Sequence, residues 1–196
     1  MIKIDPRTRP SNEAARLWLA ADADKCRGAL GVDLGAGKLR NRPVFKTQRY
    51  VAVDANERAL RQGRELYPEA EIVVSTLEDY DMPRDIDLAV CFLVLMNKHF
   101  ASDFVVSFIE RTIEHLAPGG SFLFNLGRQN IAARPEIDRI VHQQFAAVRI
   151  IEYGRFHFPI PIGGAAVAHF LSRHPSLCRP SLPSRRLAYY GCVGRR

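Results

Sequence analysis

The sequence predicts one doubly wound α/β domain, a mostly parallel sheet with helices on both faces. Three observations carry this expectation. Strand-like and helix-like segments alternate through residue 145, an order that builds a parallel sheet through right-handed crossovers. The stretch 87–95 is a nearly unbroken apolar run, as in a parallel strand buried on both faces. A glycine-bearing turn directly follows the first strand, at the carboxyl edge where such sheets bind ligands.

The elements follow in order. Residues 11–21 read as a helix capped by Ser11 or Asn12, with Ala14, Leu17 and Trp18 at helical spacing. Residues 29–34 form the first strand and stop at Gly35 and Gly37. A second strand, 49–53, ends at Asp54; Asn56 opens a helix through Tyr67, closed by Pro68. Strands three (71–75) and four (87–95) both read as central. From Ser102, the residues Val105, Ile109, Thr112 and Leu116 keep a helical period that Pro118, Gly119 and Gly120 end. Strand five covers 121–125, and a helix near Pro135 places Ile137, Ile140, Val141 and Phe145 on one face. The tail reads as a strand (147–158), a helix (164–172) and a seventh strand (186–193). Residues 1–27 are expected to form a helical lid on a single globular unit, 28–196.

Composition narrows the function. With 196 residues, 47% of them hydrophobic, the chain suits one core and leaves no room for a separate substrate domain. The N-terminus lacks a secretion signal, and the longest apolar run, 88–96, is far below the roughly 20 residues of a membrane span. Cys26, Cys91, Cys178 and Cys192 form no CxxC pair, and the six histidines no HExxH pattern, so free thiols in a reducing cytoplasm and no metal are expected. The 28 basic against 21 acidic residues give a net charge of +7, densest near the C-terminus (Arg173, Arg179, Arg185, Arg186, Arg195, Arg196). An anionic partner such as RNA suits that excess, as does a merely solubilising surface, because no stacking aromatics are interleaved with it.

The most informative segment is 31–40, GVDLGAGKLR. Glycine at 35 and 37 lets the backbone turn sharply and a ligand approach where a Cβ would clash. A phosphate-binding P-loop needs a glycine where Val32 stands and a Ser or Thr where Leu39 stands. A dinucleotide site needs a third glycine where Arg40 stands. Asp33, two residues before Gly35, instead suits a ligand bearing an ammonium group, and would repel a pyrophosphate.

Over residues 28–153 the chain resembles the class I S-adenosylmethionine-dependent methyltransferase family. VDLGAG resembles its first motif, YVAVDAN its second strand, STLED the segment after strand three, DLAVCFLVLMN its fourth strand, and HLAPGGSFLFNL its helix, turn and fifth strand. The resemblance implies a seven-stranded sheet with an antiparallel last strand, S-adenosylmethionine as methyl donor and S-adenosylhomocysteine as product. It implies that Asp33, Gly35, Ala36 and Gly37 hold the methionine part, and Asp54 and Ala55 the ribose. Thr76 and Leu77 would bracket the adenine, and Phe92 would lie beneath the transfer point. The chain departs from the pattern at Leu39, where a third glycine is usual, and at Thr76, where an acid is usual; Glu78 or Asp79 could then supply the adenine contact.

Methyl transfer depends chiefly on holding the nucleophile in line with the methyl carbon. Asn97 and His99, after strand four, are the candidate catalytic residues, since a histidine there can take a proton from a hydroxyl or amine; an ordinary loop histidine is the alternative. Trp18, Lys98 and Arg128 are the acceptor-side candidates, with core packing the alternative for Trp18. No NPPY or DPPY tetrapeptide follows strand four. The greasy segment 156–183 would cap an apolar pocket, pack as a crossover helix or form a homodimer. The expected reaction is O- or N-methylation of a small molecule, with an RNA methyltransferase and a catalytically silent cofactor-binding protein as alternatives.

Overall fold

The computed structural model of the chain describes residues 10–154, 164–180 and 186–196. Seven strands, β1 (Gly28–Leu34), β2 (Thr47–Asp54), β3 (Glu71–Val74), β4 (Ile86–Cys91), β5 (Leu116–Leu126), β6 (Phe145–Tyr153) and β7 (Leu187–Arg195), form one sheet in the order β3-β2-β1-β4-β5-β7-β6. Only β7 is antiparallel to its neighbours; the other adjacent pairs are parallel. The chain builds outward from β1 to β3, then crosses back to place β4 on the other side of β1. That reversal opens a crevice at the carboxyl ends of β1 and β4.

Five helices cover both faces: α1 (Pro10–Ala23), α2 (Glu57–Leu66), α3 (Ser102–His115), α4 (Arg134–Gln144) and α5 (Gly164–Arg173). Side chains alternate across a strand, and β1 shows it: Leu30, Val32 and Leu34 pack with Phe108 and Ile109 of α3 and Ile137 and Val141 of α4. Asp33 faces the opposite layer, where Ala14, Trp18 and Leu19 of α1, Leu60 of α2 and Leu171 of α5 pack over Ala52, Leu88 and Val90. Asn56 caps α2 as expected, its side chain accepting from the Ala59 N–H at 3.0 Å.

Four details differ from the sequence reading. β3 is an edge strand, only four residues long and without a buried position, because nothing pairs beyond it. β4 ends at Cys91, and Leu93 adopts the left-handed φ of 66° that no strand continues through. Pro118–Gly120 do not stand apart as a turn; they belong to β5, where Gly119 (φ 79°) accompanies a register irregularity opposite 86–88. Helix α1 covers Pro10–Ala23 among the described residues, so Ser11 and Asn12 lie inside it and not at its N-cap, and Ser11 is fully buried. The seventh strand and the tail helix form, and the sixth strand covers Phe145–Tyr153; residues 155–158 of that expectation lie outside the described residues.

Candidate cofactor and acceptor site

The glycine turn is fixed from β2. The backbone N–H groups of Gly35 and Ala36 both donate to Val53 O, at 2.7 and 2.9 Å. Gly35 (φ 79°) has a second constraint, since a Cβ there would stand 2.2 Å from Val94 Cγ2 in the turn that leaves β4. Gly37 (φ 52°) faces open space, with nothing within 4 Å of a hypothetical Cβ. Leu39, where the resembled motif has its third glycine, takes the left-handed conformation that glycine favours (φ 56°) while its side chain is fully buried. The helix opposite makes room for it, because a Cβ on Gly63 of α2 would lie 2.5 Å from Leu39 Cδ1.

Asp33 is completely buried, and both of its oxygens are engaged: Oδ1 accepts from Asn41 Nδ2 at 3.0 Å and Oδ2 from Tyr50 Oη at 2.9 Å. Asn41 in turn accepts from Arg16 Nη1 of α1 at 2.9 Å, and the Arg16 guanidinium lies 5.5 Å from the centre of the Phe92 ring. Burial pushes the Asp33 carboxyl up to about 6, against the hydrogen bonds from Asn41 and Tyr50 that favour its ionised form. The Tyr50 phenol is raised by burial and by the neighbouring carboxylate. Each Asp33 oxygen keeps a lone pair.

Asp54, one strand over, is half-buried. Its Oδ2 accepts from Gly37 N and its Oδ1 from Asn56 N, both at 2.8 Å, so one carboxylate aligns the turn and the start of α2 together. Ala55 beside it is exposed. Beyond β3, the exposed Thr76 hydroxyl donates to Asp79 Oδ2 at 2.8 Å and accepts from Asp79 N at 3.1 Å, while the Leu77 side chain enters the core. Arg111 of α3 holds this turn from behind, donating to Glu78 O at 3.2 Å and to Leu77 O.

The turn after β4 is held from β5. Asn125, fully buried, accepts from Leu93 N at 2.7 Å and donates to Tyr153 Oη at 2.9 Å. Gln129 Nε2 donates to Leu95 O and Asn97 O, both at 3.0 Å. Asn97, Lys98 and His99 follow, all exposed; the Asn97 side chain accepts from His99 N at 3.2 Å. The His99 ring has no hydrogen-bond partner among the described residues. Arg128 is exposed where the chain leaves β5. Trp18 is 3% exposed, packed edge-on to Tyr153 and donating to Ser172 O of α5 at 2.9 Å.

The structure therefore brings together Asp33, Gly35, Ala36, Gly37 and Asp54 at the ends of β1 and β2, with Phe92 reached through Arg16. It sets Trp18 in the layer between α1, α5 and the sheet. Sequence reasoning missed Arg16, Asn41, Tyr50, Arg111, Asn125 and Gln129. Only Tyr50 and Asn125, polar tips in apolar strands, gave a local signal. No group of three or more metal-ligating side chains occurs among the described residues, and no described helix is long and apolar enough to cross a membrane.

The donor set fits a cationic ligand with a sugar diol: two carboxylates lie at or near the ends of adjacent strands, and a turn with glycines at 35 and 37 lies between them. A sheet in this order, with a glycine turn after its first strand, is the Rossmann-like fold. Residues 32–124 match the family model of the methyltransferase domain, and the chain has the fold of the class I S-adenosylmethionine-dependent methyltransferases. Among solved structures, it is similar to the N-methyltransferase NodS from Bradyrhizobium japonicum WM9 in complex with S-adenosyl-L-homocysteine (TM-score 0.65, 12% identity, 96% of this chain and 89% of that one). It is also similar to the plantazolicin methyltransferase BpumL in complex with a triazolic desmethylPZN analog and SAH (TM-score 0.57, 11%, 97% and 87%). An rRNA methylase from Streptococcus thermophilus is a third (TM-score 0.54, 15%, 95% and 98%). At these identities the likeness is one of fold. No curated protein sequence matches the chain.

Proposed function

We propose that the protein transfers a methyl group from S-adenosylmethionine to a small-molecule oxygen or nitrogen. The observation that carries this reading is the pair of carboxylates, Asp33 and Asp54, flanking a turn already tied to β2. Asp33 offers its remaining lone pairs to the ammonium group, Asp54 takes the ribose hydroxyls, and Asp79, oriented by Thr76, accepts from the adenine amino group. When bound, the cofactor supplies an electrophilic methyl carbon. The chain's own part is to orient the acceptor and remove its proton: Asn97 and His99 stand on the turn that Asn125 and Gln129 hold, and the exposed His99 imidazole is free to take a proton from an acceptor hydroxyl or amine. Lys98 and Arg128, both exposed, are the acceptor contacts in this reading.

A small acceptor is favoured over RNA because three of the six C-terminal arginines are tied to the fold by ion pairs or hydrogen bonds. Arg179 and Arg186 pair with Glu152, and Arg195 donates to Glu114 O and Leu116 O. Helix α1 serves as the lid, since Arg16 reaches both Asn41 and Phe92. Four free, buried cysteines suit a reducing cytoplasm, and the exposed Phe170 and Leu177 give a second copy an apolar face to cover.

The test is calorimetric titration of S-adenosylmethionine and S-adenosylhomocysteine into the purified protein, with Asp33→Ala, Asp54→Ala and a NAD control. Micromolar binding lost in both variants supports the reading, and a screen of hydroxyl and amine acceptors follows. Absent binding, or a preference for NAD, sinks it.

A further inference from the structure

The two donors to Asp33 are held differently. Tyr50 is fixed on β2, its ring packed edge-on to Phe45 at 4.7 Å and the Arg42 guanidinium 5.2 Å from its centre. Asn41 lies between the glycine turn and β2, and the direction of its amide is set by its neighbours. A carboxylate has no donor and a guanidinium no acceptor. With Arg16 taking the amide oxygen at 2.9 Å, the amide nitrogen must face Asp33, as it does at 3.0 Å. Arg16, Asn41 and Asp33 are 6%, 4% and 0% exposed, so bulk water is not at hand to replace a lost partner.

Arg16 belongs to α1, not to the strands that carry the glycine turn. Glu13, one turn back on the same helix, pairs with its Nε at 3.7 Å, and the Phe92 ring just past β4 lies against its guanidinium. The far end of α1 is anchored separately, where Asp22 accepts from Arg149 of β6 at 3.0 Å and from Tyr189 of β7 at 2.9 Å. Arg16 is thus a polar tie between the first half of α1 and the segment that follows the glycine turn.

We propose that Arg16 is a positioning residue for the cofactor: through Asn41 it fixes the direction of the amide that faces Asp33, so the seating of α1 governs how well that carboxylate receives a cationic group. The inference deepens the methyl-transfer reading and rests on it only in taking that group to be the cofactor's ammonium. Without Arg16 the amide is free to turn. Its oxygen facing Asp33 favours the protonated carboxyl, the form that cannot pair with an ammonium. The loss therefore depends on pH, which separates it from a general loosening of the site. The groups coupled to Asp33 leave that dependence readable. The Arg16 guanidinium is a permanent charge, burial keeps the Tyr50 phenol of β2 and the Cys91 thiol of β4 protonated, and Asp54 adds a like charge from the end of β2.

The experiment titrates S-adenosylhomocysteine into the full chain by calorimetry across neutral pH, as wild type, Arg16→Met, Arg16→Lys, Asn41→Leu and the double variant of Arg16→Met with Asn41→Leu. Urea unfolding checks that each one folds. Arg16→Met, which keeps an unbranched apolar stem, should weaken binding about five-fold near pH 6 and leave it almost unchanged well above that, as the midpoint of the affinity profile moves up by about one pH unit. Arg16→Lys keeps a donor for the amide oxygen and should restore most of the loss. In the Asn41→Leu background, Arg16→Met should weaken binding no further. Equal weakening at every pH, no rescue by Arg16→Lys, or additive losses in the double variant overturns the proposal. Asn41→Leu alone should show the same pH signature, which decides the matter where Arg16→Met does not fold. The carboxyl carbon of Asp33, assigned by its absence from Asp33→Asn, is titrated by NMR in parallel without ligand. A wild type that binds no S-adenosylhomocysteine removes the methyl-transfer reading, and the relay then stands only if the Asp33 titration moves up in Arg16→Met and back in Arg16→Lys. Binding by the wild type with an Asp33 titration indifferent to Arg16 keeps that reading and sinks the relay.

Discussion

The side-chain amide of Asn125, at the end of β5, accepts a 2.7 Å hydrogen bond from the backbone N–H of Leu93, in the turn that leaves β4. Leu93 is in the left-handed region, which a leucine adopts only at a cost of about 1–2 kcal/mol. A second bond from the same amide reaches Tyr153 Oη of β6. One buried residue thus ties together three strands and the conformation of the turn that presents Asn97 and His99.

Replacing Asn125 by Leu should remove both bonds and leave a buried N–H without a partner, lowering stability by about 1–3 kcal/mol. Urea unfolding at neutral pH measures this directly. A change below about 0.5 kcal/mol, the level usual for neutral surface substitutions, would mean that the turn keeps its shape unaided.

Asp33 gives a pH dependence of definite sign. Its folded-state pKa, about 6, lies above the unfolded value near 3.8, so between these pH values the folded protein holds more protons than the unfolded one. Stability from this group is present at low pH and is lost as pH rises toward 6, by up to roughly 3 kcal/mol. Asp33→Asn should flatten that part of the stability profile. Cofactor binding runs the other way: an ammonium partner requires the ionised carboxylate, so affinity should rise with pH through about 6, with a proton released on binding below it. Calorimetry in buffers of different ionisation enthalpy detects that proton, and its absence at pH 5.5 would remove Asp33 from contact with the ligand's charge.

At Leu39 two effects oppose each other. Glycine would relieve a left-handed backbone worth about 1–2 kcal/mol, but emptying a buried leucine site costs about 3–5 kcal/mol. Burial wins, so Leu39→Gly is expected to be less stable than wild type. Leu39→Ala should be less stable still, because it empties the site and keeps the strained φ of 56°. Thermal unfolding of the three proteins checks the order; a Leu39→Gly protein more stable than wild type would show that backbone strain dominates.

Arg111 should matter to the cofactor without touching it. Its guanidinium braces the carbonyls of Leu77 and Glu78 behind Thr76 and Asp79, so Arg111→Met is expected to weaken S-adenosylhomocysteine several-fold, on the order of 1 kcal/mol for a lost brace. Adenosine should be weakened by the same factor and methionine not at all. Equal loss for both halves would indicate general loosening of the site.

The parallel core of the fold was readable because period and punctuation are local properties. The run after Asp87 and the turn at Gly35 each announced themselves within ten residues. Centrality was not, for β3 has the same apolar letters as an inner strand but nothing pairs with its far side. The same limit applies to the site. Asp33 and Asp54 stood out by position in a motif, whereas Asn41 and Arg16 matter only because the fold brings α1 and the segment after the glycine turn against Asp33. Those contacts join residues 8 and 25 positions apart, and no spacing rule encodes them. Arg111 lies 33 and 34 positions from its partners, on a helix face that reads as ordinary solvated surface.

The place of β7 has a consequence for how the chain is made. It is the last of the seven strands to be synthesised, yet it fills an inner slot, antiparallel between β5 and β6. Until it arrives, β5 and β6 each present an unsatisfied edge of backbone donors and acceptors, and β6 has no backbone ladder joining it to the half of the sheet that bears the glycine turn. A growing chain on the ribosome can complete the β3-β2-β1-β4-β5 half early but must hold β6 apart, which makes that interval the natural point for chaperone capture or for strand exchange with a second nascent copy.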